Sequence, residues 1–173
     1  MPATTRAVVA NWQRAELGGA DGLRLVGRDD LHVTLVFLGW REPGVVAPLW
    51  EAGSDAAVRV AATAWLEPAA MVPVPRKRPR LLALDLRDHG GAATDLYRAV
   101  AGALEEAGLH EPEQRPFWPH VTLARVRKGG RAPRHAEQPR IAAFAPEALV
   151  LYRSELSREG ARYTPLERYP LRG

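Results

Sequence analysis

The sequence predicts an α+β fold: antiparallel strands with helices packed on one side. Three observations lead there. Short apolar runs that read as strands are interleaved with longer segments of helical period. The runs near the C-terminal end are spaced as hairpins. A tetrapeptide, His-Val-Thr-Leu, also occurs twice, beginning at His32 and at His120, and each copy opens an apolar run.

The elements follow in order. Residues 4–17 read as an amphipathic helix, capped by Thr4 or Thr5, with Val8, Val9, Trp12 and Leu17 as its apolar stripe, and stopped at Gly18-Gly19. A short alternating strand at 23–26 turns through 27–30 into the first motif strand, 31–38, which ends at Gly39. The Ala-rich stretch 45–62 predicts a second helix with Gly53 as its weak point, and 65–74 is extended. Four cations among three prolines at 73–80 exclude a helix and disfavour a central strand, since proline donates no amide hydrogen bond. This is either a solvated loop or a basic loop laid against phosphates. A buried strand at 81–86 and the pair Gly90-Gly91 lead into a helix over 92–107. Its core stripe is Leu96, Val100, Ala103 and Leu104, and Gly108 closes it. A charged, Pro-rich stretch delivers the second motif strand at 120–126. Beyond it lie a basic loop, 127–139, and short strands at 140–144, 148–154 and 162–166, with Gly160 at the last turn.

The chain of 173 residues is expected to form one domain. It has no cysteine, which excludes disulfides and thiolate chemistry and suits the cytoplasm. No apolar run reaches the roughly 18 residues of a membrane span. The net charge of +4 is compatible with a polyanionic ligand, although Arg- and Ala-rich composition follows equally from a GC-rich genome. Comparing the halves, strand, helix, loop and motif strand recur, but only Met-Pro-Ala precedes the first helix. If the halves are pseudo-repeats, the opening strand is missing, either through a start set too far downstream or through divergence.

Residues two apart on a strand share a face, so His32 pairs with Thr34 and His120 with Thr122. Histidine suits both the acid and the base of phosphodiester cleavage, because its ordinary pKa lies near working pH. The Thr hydroxyls are placed to donate to phosphate oxygens. Arg125 lies five positions after His120 and therefore on the opposite face, unless the strand twists or ends. There is no His-x-x-x-His or His-x-His zinc spacing, no nucleophile elbow and no glycine-rich phosphate fingerprint. His89, His110 and His135 fall in loops and are given no role.

Taken with their flanks, Leu31 to Gly39, Arg115 to Arg125, Leu151-Tyr-Arg-Ser and Gly160-Ala-Arg-Tyr163, the paired motifs resemble the two-histidine (2H) phosphoesterases. Within them the resemblance is to the RNA 2′,3′-cyclic phosphodiesterases, also called 2′-5′ RNA ligases or LigT-like proteins, and it covers nearly the whole chain. It implies two pseudo-symmetric α+β lobes of antiparallel sheet with outer helices around a central cleft. It makes His32 the proton donor to the leaving 3′ oxygen and His120 the acceptor that activates water. Thr34 and Thr122 become phosphate-binding hydroxyls, with Arg125 and Arg115 as further phosphate contacts. The implied substrate is RNA with a 2′,3′-cyclic phosphate end, opened to a 2′-phosphate with no cofactor or metal; a 2′-5′ ligase side activity and a monomeric state are also expected. Where relatives often carry Arg before the motif proline, this chain has Trp118, expected either to pack internally or to stack on a nucleobase. Two alternatives stand beside this reading: a phosphodiesterase for small cyclic phosphates or 2′-5′ oligonucleotides, and a non-catalytic RNA-binding module.

Overall fold

The computed structural model describes residues 1–60, 63–111, 113–157 and 160–171. In order, the chain forms helix α1 (Ala3–Leu17), strand β1 (Leu23–Leu25) and helix α2 (Val46–Val58). Then come strands β2 (Trp65–Val74) and β3 (Leu81–His89), helix α3 (Ala92–Glu106), and strands β4 (His120–Val126), β5 (Ala148–Ser157) and β6 (Gly160–Pro170). One sheet has the order β1-β4-β3-β2 and is antiparallel throughout; β5 and β6 pair as a separate hairpin. The predicted α+β class is the observed one. Among the described residues no helix is long and apolar enough to cross a membrane.

Strands β3 and β4 are central, and Leu82, Ala83, Leu84, Val121, Leu123 and Ala124 expose no surface at all. Each buried Leu or Val contributes about 1.5–3 kcal/mol. Helix α1 covers this sheet through Val9, Ala10 and Leu17. A second core joins α2 (Leu49, Ala56, Ala57) to α3 (Leu96, Val100, Leu104). Gly53 does not break α2: it is buried where the helices meet, and a Cβ there would lie 3.7 Å from Val100 Cγ1. Helix α3 is capped from outside by Asp88, whose carboxylate accepts from the Ala93 and Thr94 amides at 3.1 and 2.8 Å. It ends as predicted at Gly108, which takes the left-handed conformation (φ 69°), with Leu109 N–H returning to Leu104 O at 2.8 Å.

Five local expectations are corrected. No side chain caps α1; Pro2 holds the N-cap position, and Thr4 and Thr5 lie inside the first turn. Val8 is 46% exposed, because the buried face runs Val9, Gln13, Leu17 at four-residue spacing. The first motif is not a laddered strand: within 31–38 the only pairing is an isolated antiparallel bridge, Val33 to Val121. Its next apolar residues, Leu35, Val36 and Leu38, leave the sheet to pack on the α2–α3 core, so its two-residue alternation is lost. The expected strand at 140–144 is likewise a single bridge, Phe144 to Leu66. Helix α2 stops at Val58, and Ala61 and Ala62, which the expected helix included, lie outside the described residues.

Gln13 shows how α1 fixes this sheet. It is 2% exposed, and its amide donates to Val26 O at 3.1 Å and to Leu123 O. Gln13→Ala leaves the Val26 carbonyl without this donor and opens a cavity. We expect a loss of about 3 kcal/mol, read in calorimetry as a Tm lower by about 6–12 °C. Gln13→Leu should recover part of that by filling the space.

Candidate active site

The bridge between Val33 and Val121 brings the two motifs face to face. One residue to either side, antiparallel geometry sets His32 opposite Thr122 and Thr34 opposite His120. The repeated tetrapeptide is therefore related to itself by a local twofold through this bridge, and each histidine faces the other copy's threonine.

Both imidazoles are held the same way. His32 Nδ1 lies 2.7 Å from Asp30 O, and His120 Nδ1 lies 2.8 Å from Trp118 O. A carbonyl only accepts, so Nδ1 carries the hydrogen in each ring and Nε2 is left for chemistry. Thr34 Oγ1 stands 3.3 Å from His32 Nε2, so the two side chains share a face. Tyr163 meets the His32 ring edge-on at 4.6 Å, and Tyr152 lies at 5.8 Å, both supplied by the β5–β6 hairpin. Burial by this surround pushes the His32 pKa below that of an ordinary imidazole. The hydrogen bond to Asp30 O opposes the shift, while a charge on His120 adds to it.

A cavity of about 90 Å³ adjoins His32, and its walls include Arg24, Asp30, His32, Thr122, Arg125 and Tyr163. It is too small for a nucleoside. An open groove of about 720 Å³ along β6, lined by Asp30, Glu155 and 160–165, shares Asp30, Gly160, Ala161 and Tyr163 with it. That size falls within the usual range for ligand sites.

Arg125 reaches the cavity through a β-bulge. In the β3–β4 register Thr122 pairs with Ala83 but Ala124 pairs with Leu82, so β4 carries one extra residue, Leu123. The bulge flips strand parity, burying Leu123 and Ala124 in succession and turning Arg125 to the same side as Thr122. Arg125 makes no hydrogen bond or ion pair among the described residues. Its partner across the β1–β4 ladder is Arg24, another wall residue. Two guanidinium groups and the Asp30 carboxylate thus line one cavity.

Of the residues singled out from sequence, His32, Thr122 and Arg125 share the cavity, with Thr34 and His120 placed beside it by the bridge. Arg115 is not brought in; it is exposed on the segment before β4. Trp118 neither packs in the core nor offers both faces to a base. One face stacks on His120 at 4.2 Å, and its indole N–H donates to Asp85 at 2.6 Å. Asp85 is itself the cross-strand partner of His120. Upstream, Phe117 stacks on Tyr97 of α3 at 4.8 Å and anchors the segment. Arg24, Asp85 and Tyr163 stand at the candidate site without having been given a role there from sequence, although Tyr163 lies in a stretch that carries the resemblance. Arg24 leaves the trace of a lone cation on a short apolar strand; the other two are placed by pairings far apart in sequence. Among the described residues no group of three or more His, Asp and Glu is arranged to hold a metal ion.

No family model matches the chain. A relative from Geobacillus stearothermophilus, an RNA 2′,3′-cyclic phosphodiesterase, is 31% identical over 153 residues, covering 86% of this chain and 48% of that protein. The chain thus spans about half the length of that relative. The RNA 2′,3′-cyclic phosphodiesterase of Escherichia coli (strain K12) is 27% identical, with 99% of this chain and 92% of that one covered. The crystal structure of E. coli LigT complexed with 3′-AMP matches with a TM-score of 0.72 at 28% identity, covering 99% of this chain and 93% of that one. The fold is that of the solved LigT phosphoesterase. Over most of its length the chain is similar to the RNA 2′,3′-cyclic phosphodiesterases.

Proposed function

We propose that the protein opens 2′,3′-cyclic phosphate ends of RNA to 2′-phosphate ends by acid–base catalysis from its two histidines. The observation that carries this reading is the twofold pair of imidazoles, each tied through Nδ1 to a backbone carbonyl, beside a cavity walled by Arg125. His120 Nε2 takes a proton from water as the water oxygen bonds to phosphorus. The bond from phosphorus to O3′ breaks, and His32 Nε2 gives its proton to O3′. Thr34 and Thr122 donate to the non-bridging oxygens, and Arg125 and Arg24 offset their charge. The nucleoside occupies the adjoining groove. With a ribose 5′-hydroxyl in place of water, the same transfers join two RNA ends through a 2′-5′ linkage, so ligation is a side activity of one site.

The two curated relatives bear the name of this hydrolysis, and the solved relative binds a 3′-nucleotide. The test is an RNA oligonucleotide ending in a 2′,3′-cyclic phosphate, incubated with protein and excess EDTA. The expected product carries a 2′-phosphate and a free 3′-hydroxyl. A 3′-phosphate product would reverse the leaving group, and activity abolished by EDTA would require a metal.

A further inference from the structure

We infer that the end of the four-stranded sheet beyond Arg125 is a binding surface for the RNA chain on the 5′ side of the reacting phosphate. The inference rests on the proposed reaction. Two loops far apart in sequence meet there. The β2–β3 hairpin loop carries Arg76, Lys77, Arg78 and Arg80, and the segment leaving β4 carries Arg127 and Lys128. Val126 N–H donates to Arg80 O at 2.8 Å, which sets the hairpin loop beside the residue following Arg125. Arg127 N–H donates to Gly22 O at 2.8 Å. The backbones of Gly22 and Gly130 touch so closely that a Cβ on Gly130 would lie 2.7 Å from Gly22 Cα, which pins the second loop to the start of β1.

All six cations are exposed, and none forms an ion pair among the described residues. Within 18–22, 75–80 and 127–134, Asp21 is the one acidic residue. The opposite end of the same sheet carries Glu67, Asp85 and Asp88, and its one arginine, Arg87, pairs with Glu67, so the cations without an ion pair collect at the basic end. Arg24 and Arg125 lie in the cavity one residue inside the basic end. A polyanion whose terminal phosphate enters the cavity therefore meets six further cations on the side beyond Arg125, against Arg162 alone in the groove along β6. Phosphate contacts of this kind are independent of base sequence and weaken with salt.

The experiment compares a cyclic mononucleotide with a ten-nucleotide RNA ending in the same cyclic phosphate, and measures binding of that RNA bearing an unreactive 3′-phosphate by anisotropy across salt. In the triple variant R76Q/K77Q/R78Q, oligonucleotide affinity should fall about 10- to 100-fold at 0.1 M salt. The slope of log K against log salt should flatten by about 0.7 for each phosphate no longer neutralised. Turnover of the mononucleotide should hold. R127Q/K128Q should act in the same direction, and R59Q/R98Q, on the α2 and α3 side, should leave the slope unchanged. Equal affinity and slope in wild type and triple variant would overturn the surface, as would a control variant with the same loss. Absence of turnover with either substrate would overturn the reaction instead, and the anisotropy arm would still decide the surface.

Discussion

Alanine at His120 or at His32 is expected to lower kcat/KM for the cyclic phosphate end by about 10²- to 10⁴-fold, the range for a lost general acid or base. The double variant should be little worse than either single one, since acid and base act on one bond change. Folding should survive, because neither ring belongs to the apolar core and each is tied to the backbone by one hydrogen bond. The pH profile separates the two roles. Burial lowers the pKa of His32, so the free protein loses its protonated acid at a lower pH than an ordinary imidazole would. Bound phosphate anion favours the imidazolium and moves that pKa back up. The alkaline limb of kcat/KM, which reports the free enzyme, should therefore lie below that of kcat. Tyr163→Ala admits water to His32 and should raise the kcat/KM limb. If the limb shifted by Tyr163→Ala were the acidic one, the acid and base would have to be exchanged. The same shift bears on stability: as pH falls below about 6.5 the unfolded chain takes up a proton that native His32 refuses, and stability declines toward the native pKa.

What was legible in the sequence was whatever local pattern decides. Strand β2 has the predicted bounds, and α3 has its core stripe and its closing glycine, because propensity, period and terminator agree there. The His-x-Thr pairs were readable because a two-residue offset on extended backbone fixes a shared face. The failures lie where distant contacts override local pattern. Residues 31–38 have the composition of a strand, yet beyond Val33 they are drawn off to a helical core formed by residues up to Leu104. The apolar stripe read for α1 leaves out Gln13, whose burial follows only from the carbonyls of Val26 and Leu123 placed over it. Trp118 replaces a cation expected at the phosphate, and its use as a support stacked on His120 depends on Asp85, a residue on the neighbouring strand.

Arg125→Gln is expected to reduce kcat/KM by about 10²- to 10³-fold, the scale for losing one preorganised donor to developing charge. Strand parity alone places Arg125 away from His120 and Thr122, and the bulge at Leu123 is what returns it. Nothing in Thr-Leu-Ala-Arg announces a bulge; it follows from how β3 and β4 pair. Since Arg125 is exposed and makes no polar contact among the described residues, its removal should change stability by no more than about 0.5 kcal/mol. A large loss of activity without loss of stability identifies a side chain held for the substrate. Arg125→Lys restores the charge without the planar fork and should recover only part of the rate. Substrate length separates this cation from the surface beyond it. At the reacting phosphate, Arg125 should matter equally for a cyclic mononucleotide and for an oligonucleotide, whereas the loop cations should matter for the oligonucleotide alone. An Arg125→Gln variant that turned over the mononucleotide at the wild-type rate would move this residue out of the site and leave the bulge a feature of packing only.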